Sequence, residues 1–181
     1  TSVTYFGNAF DTTTTGLDVV ASLRTGHFGG TTTYSLAGNW NRTRVDRFNA
    51  DFVDEARVYK IEESLPRTKG YFSVNHRRDV FHANLRLAYY GSWYEDHVDS
   101  AVIRVEDGGL PIYDSSAVIV DAEIGWRFAS GLYVNLGAQN LFDKVPVDNP
   151  WGASVAGAAY PVHSPYGFNG GFYYARVGWT F

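Results

Sequence analysis

The chain has 181 residues and a formal net charge of -4, with 17% aromatic residues (13 Tyr, 12 Phe, 5 Trp), 19 Gly and neither Cys nor Met. The missing cysteine excludes a disulfide framework, a thiolate metal site and a cysteine nucleophile, and the acidic balance offers little to a phosphate backbone, so no nucleic-acid partner is expected. Mean hydropathy of -0.22 and the lack of any apolar run near ~18 residues exclude a membrane-spanning helix, but not membrane strands, in which every second side chain faces a polar lumen.

No helical periodicity persists along the chain, whereas apolar and polar residues alternate from end to end, which predicts an all-β protein. In chain order, strands are expected over residues 2–9, 17–25, 31–44, 70–74, 81–89, 117–128, 132–139 and 172–181, about eight in all. Over 117–128, Val118, Val120, Ala122, Ile124, Trp126 and Phe128 oppose Ile119, Asp121, Glu123, Gly125 and Arg127. The last strand repeats this, with Tyr173, Ala175, Val177, Trp179 and Phe181 opposing Tyr174, Arg176, Gly178 and Thr180. The connections alternate in length. Short turns are expected at 25–30, 75–79 and 129–131, and long polar segments at 11–15, 46–69, 95–115 and 143–169. Short turns at one end and long loops at the other are the asymmetry of an antiparallel up-and-down transmembrane β-barrel. Aromatic pairs on the apolar face near strand ends, Trp126 with Phe128 and Trp179 with Phe181, fit an interfacial girdle better than the core of a soluble β-sandwich.

The segment Tyr133-Val134-Asn135-Leu136-Gly137-Ala138-Gln139-Asn140-Leu141-Phe142-Asp143-Lys144 resembles the Asn-Leu-Phe-Asp element near the C-terminus of TonB-dependent outer-membrane receptors. Tyr160-Pro161, Ser164-Pro165-Tyr166-Gly167-Phe168-Asn169-Gly170-Gly171 and a last strand closing on Phe181 follow in the order that family shows, and the Thr-rich stretch ending in Gly16-Leu17-Asp18 is similar to one of its barrel segments. The resemblance implies that residues 1–181 are the C-terminal part of a plugged barrel of about 22 strands, in the bacterial outer membrane. The plug and the earlier strands would then be supplied by other polypeptide. It implies energised uptake of a scarce or bulky nutrient of the siderophore, cobalamin, saccharide or peptide class. The implied partners are the plug, the inner-membrane TonB complex acting through it, the outer-membrane assembly machinery, and lipid or lipopolysaccharide. Tyr173, Ala175, Val177, Trp179 and Phe181 look like that machinery's assembly signal.

Three groups of side chains are candidates for function. Trp151, Tyr160, His163 and Tyr166, in the last long loop, are placed to contact a ligand or to pack on the barrel rim. Inward-facing Arg86, Glu123, Arg127 and Arg176 are placed to meet the plug or an anionic substrate, or to form an ion-pair ladder across strands. His76 and His82 flank a turn, but no third ligand accompanies them, so neither a metal nor any other cofactor is expected. The acidic residues Glu95, Asp96, Asp99, Glu106 and Asp107 lack the spacing of a calcium loop. No nucleophile elbow, phosphate-binding glycine loop or His-Glu-x-x-His motif is present, so no catalytic residue is assigned. Two alternatives stand beside the receptor reading: a self-contained eight-stranded barrel with a structural or adhesive role, and an outer-membrane hydrolase.

Overall fold

A computed structural model describes residues 7–95, 112–150 and 158–180. In chain order the elements are β1 (Phe10–His27), β2 (Gly30–Phe48), α1 (Glu55–Glu63), β3 (Thr68–Arg78), β4 (Phe81–Tyr90), β5 (Trp93–Glu95), β6 (Ile112–Asp114), β7 (Ala117–Arg127), β8 (Leu132–Gln139) and β9 (Phe172–Trp179). Seven strands form one antiparallel sheet in the order β1-β2-β3-β4-β7-β8-β9, and β5 pairs with β6 in a separate ribbon. Each strand of the large sheet lies beside its predecessor in that sheet, so the up-and-down arrangement expected from the alternation holds. The sheet is open: among the described residues, nothing pairs with the outer edge of β1 or of β9.

The turns at one end are tight for local reasons. Phe28 and Gly29 both take positive φ (52° and 72°) in the two-residue link between β1 and β2, the geometry whose twist matches that of the flanking strands. Asp79 takes φ 47° at the next turn. At the third, the Gly131 amide donates to the Phe128 carbonyl at 3.1 Å and Gly131 takes φ 85°, a turn closed by a left-handed glycine. The links at the other end run from Phe48 to Thr68, Tyr90 to Ala117 and Gln139 to Phe172, so short and long connections alternate as the sequence predicts.

Several expectations need correction. Residues 11–15 are not a loop but part of β1, where β-branched Thr12 to Thr15 pair with Val45 to Arg42 on β2. The segment 46–69 contains helix α1, capped by Asp54, whose carboxylate accepts the Arg57 amide at 2.7 Å. The ribbon β5-β6 was also not anticipated. Of the expected strand over 2–9, residues 2–6 lie outside the described residues and Gly7 to Ala9 are not extended into the sheet. Among the described residues the sheet therefore has seven strands rather than eight. No helix is long and apolar enough to cross a membrane among the described residues.

Strand register sorts the side chains onto two faces. The pairs Leu36 with Phe72, Phe72 with Leu87, Leu87 with Val120, and Val134 with Val177 carry one apolar face across the sheet. Among the described residues nothing covers that face: Ile124 is 52% exposed, Leu136 52% and Val177 65%. The few large buried apolar side chains, Val53, Trp93, Tyr94 and Ile112, lie instead with α1 and the ribbon at the long-loop end. Among the described residues, the sheet's greasiest face is therefore its most open one.

Candidate functional site: the polar wall and its rim

The face opposite the apolar one carries Arg24, Asn75, Arg77, His82, Asn84, Arg86, Asp121, Glu123, Arg127 and Arg176, because each sits one position from an apolar-face residue in a strand of period two. Here the four predicted wall residues share one surface. The expected ion-pair ladder is only partly formed. Arg86 reaches Asp121 at 3.6 Å, not Glu123. Glu123 is engaged from both sides, by the Tyr174 hydroxyl at 2.8 Å and by His82 Nε2 at 3.3 Å. Arg127 lies over the Tyr133 ring and Arg176 over the Tyr174 ring, with centroid distances of 5.9 and 5.6 Å, so both cations rest on aromatic faces rather than on carboxylates.

Sequence reasoning missed Arg24, Arg77 and the partnership of His82 with Glu123. The parity that placed Arg86 on the wall would also have placed Arg24, between Leu23 and Thr25. Arg24, Arg77, His82 and Glu123 line a depression of about 510 Å³. Arg77 and His82 also line a neighbouring one of about 400 Å³ that includes Arg127. In a chain of net charge -4, this half of the wall is basic: of the two carboxylates that line the depressions, Glu123 is bonded to Tyr174 and His82, and Asp79 lies 3.9 Å from Arg78. The arrangement can hold an anionic surface against it.

Glycines let bulky neighbours lie flat on this wall. Tyr133 faces Gly178 and Tyr174 faces Gly137 across the β8–β9 ladder, and a Cβ at either glycine would overlap the facing phenol ring. His82 lies over Gly125 in the same way. His76, by contrast, pairs with Ala83 on the apolar side while His82 pairs with Arg77, so the two histidines that flank the turn stand on opposite faces of the sheet.

The rim is built by the last long loop. Its start explains the Asn-Leu-Phe-Asp segment: the Asn140 amide donates to Asp121 at 2.8 Å, while its side chain exchanges hydrogen bonds with the Lys144 amide and carbonyl at 2.9 and 2.7 Å. Asp143 accepts the Gly171 amide at 2.7 Å, and the Tyr173 hydroxyl donates to the Leu141 carbonyl at 2.9 Å. These bonds tie the exit of β8 to the entry of β9. We predict that Asp143→Ala, which leaves the Gly171 amide without that acceptor, costs about 1 kcal/mol and lowers the temperature at which the folded form converts to the unfolded one on a gel.

Of the predicted loop contacts, Trp151 lies outside the described residues, as does Phe181 of the expected assembly stripe and, among the acidic loop residues, Asp96, Asp99, Glu106 and Asp107. Tyr160 is half-buried. The other two pack on the rim. The His163 amide donates to buried Glu95 at 3.0 Å, with its Nδ1 at 3.5 Å, and the Tyr166 hydroxyl donates to buried Asp114 at 2.7 Å. Burial and that bond push the Tyr166 phenol above the ordinary tyrosine range. The folded rim therefore holds this proton more tightly than the unfolded chain does, so the contact contributes stability below about pH 10 and loses it as pH rises through the raised folded value. In an alkaline tyrosinate titration, Tyr166→Phe should remove one late-ionising tyrosine.

In comparisons with known proteins, no family model matches the chain, and no curated protein sequence matches it. The class defined by fold and wall is thus a structural one: an open antiparallel sheet with a bare apolar face and a basic polar face.

Proposed function

We propose that the chain is wall and outer rim of a bacterial outer-membrane β-barrel of the TonB-dependent receptor kind, which takes up a nutrient too bulky or scarce for simple pores. The observation that carries this reading is the uncovered apolar face running across all seven strands, opposite a polar face rich in arginine. In water that face would be an aggregation hazard; in lipid it is the surface a barrel presents. The two open edges support completion by further strands, since unpaired backbone groups are not tolerated in hydrocarbon. The basic half of the wall, at the short-turn end, suits contact with acidic groups of a plug inside the barrel. A self-contained barrel is less well supported, because closing it would pair 18-residue β1 with 8-residue β9.

Uptake tests the function. Cells carrying or lacking the complete protein are offered labelled ferric siderophores, cobalamin, oligosaccharides and peptides. One class should enter only with the protein present, and a protonophore should abolish that entry. Equal uptake of every class with and without the protein contradicts the reading.

A further inference from the structure

We propose that the nutrient is a neutral saccharide, held on the inner wall below the rim with one sugar ring against Tyr71 and its hydroxyl edge on Asp18, Lys69 and Arg86. This inference rests on the receptor reading above and names the ligand class which that reading leaves open.

On the polar face of the sheet, two rows nearer the long loops than Arg24, Val20, Ala37, Tyr71 and Ala88 lie across from one another in β1 to β4. This row interrupts the polar wall with an apolar surface. Its small members make it concave: Ala37 and buried Ala88 floor a depression of about 390 Å³. From the β1–β2 turn at Gly30 to Ala37 is seven residues, which at ~3.3 Å each and a tilt near 40° rises about 18 Å, into the outer half of a ~25 Å band. A ligand entering from the long-loop end meets it before the basic half of the wall. Half-buried Tyr90, at its upper border, packs against Tyr166 of the rim loop at 5.7 Å between ring centroids.

The surface suits a molecule with apolar faces and hydroxylated edges. Arg86 lies over the Tyr71 ring at 5.4 Å, yet that ring stays 40% exposed and keeps open aromatic surface for the C–H face of a pyranose. Val20, 80% exposed, extends the apolar patch. The polar border is held in place beforehand: the Asn41 side chain donates to Asn39 at 2.8 Å, and Asn39 donates to Asp18 Oδ1 at 2.7 Å. Among the described residues the other Asp18 oxygen has no partner, and Lys69 has no ion pair. A free carboxylate oxygen and an ammonium beside an apolar face accept from and donate to neighbouring hydroxyls of one ring. Charge is balanced here, unlike in the basic half, because Asp18 offsets Lys69 and Asp121 lies 3.6 Å from Arg86, so nothing selects an anion. Directly below, Ser22, Ser35 and Ser73 form an uncharged hydroxyl row. A peptide would find no free backbone edge, since the four strands are paired with one another.

The test uses the complete protein in detergent, with heat-modifiable gel migration as the check on folding. Wild type is offered short neutral α- and β-linked oligosaccharides of glucose, galactose, mannose and xylose, beside a ferric hydroxamate, cyanocobalamin and a tetrapeptide. One oligosaccharide series should bind and none of the other ligands should. Calorimetry with that series then reads the variants: Tyr71→Ala should bind about tenfold more weakly, whereas Tyr71→Phe, which keeps the ring, should stay within about twofold of wild type. If Tyr71→Ala does not fold, Val20→Arg carries the test, because a position so exposed tolerates the change while the long side chain fills the depression; its loss should also be about tenfold. Full-strength binding by the folded variants overturns the site. Binding of the hydroxamate, cobalamin or peptide, or of nothing offered, overturns the saccharide assignment and leaves the barrel reading standing. A wild-type protein that stays soluble without detergent overturns both.

Discussion

Leu85→Arg is expected to destabilise the folded protein in membranes by about 2–4 kcal/mol, the cost of a basic side chain facing lipid near the bilayer midplane. Leu85 stands on central strand β4, between Val74 and Ala122 on the apolar face, four residues from Phe81 and four from Tyr89. In the open sheet it is 40% exposed, and that number gives the prediction its force. If this face met water, an arginine on so open a site would change stability by no more than about 0.5 kcal/mol. Only lipid makes it costly. The neighbouring wall position supplies the control: Asn84→Arg places the same charge on the polar side and should cost little. Urea titration of both variants in detergent or lipid, read as loss of heat-resistant migration, separates the outcomes.

The second large effect is on the wall. Gly137→Val should cost about 1–3 kcal/mol, the usual range for overpacking, because its Cβ would overlap the Tyr174 ring. That ring is not free to swing away, since its hydroxyl donates to Glu123 at 2.8 Å. Displacing it also weakens the surroundings of Glu123, leaving His82 as its remaining hydrogen-bond partner. Adding Tyr174→Ala should relieve most of the clash, so the double variant should be more stable than the sum of the two single effects predicts. Additive costs would mean that ring and glycine are not coupled.

How much of this was legible in the sequence depends on the physics of each element. The strand over 81–89 emerged almost residue for residue as β4, and the parity of Arg86, Glu123, Arg127 and Arg176 was right, because side-chain period in a strand is fixed at two. Helix α1 was missed because its nine residues make only about two and a half turns, too few for a periodicity to show. It is held by its Asp54 cap and by packing on β2 and β5, which are tertiary facts. Residues 11–15 read as a loop because threonine is polar, yet threonine is also a strand former, and pairing with β2 decided the matter. Partners of the wall residues needed the register. Whether Arg86 meets Asp121 or Glu123, or whether Tyr174 falls opposite Gly137, turns on which residue lies across the ladder, and loops of uncertain length do not fix that. The Asn-Leu-Phe-Asp segment was recognised as a likeness; its work, tying β8 to β9 through Asn140 and Asp143, became visible only with hydrogen bonds in place.

The measurement that bears most directly on the account is isolation of the protein from its native cells with and without mild detergent, followed by determination of which strands lie against β1 and β9. The account predicts a detergent-requiring assembly in which strands from outside residues 1–181 pair with both edges and a plug lies against Arg24, Arg77 and Arg127. A chain recovered alone and soluble without detergent, or one whose β1 pairs with its own β9, would contradict it.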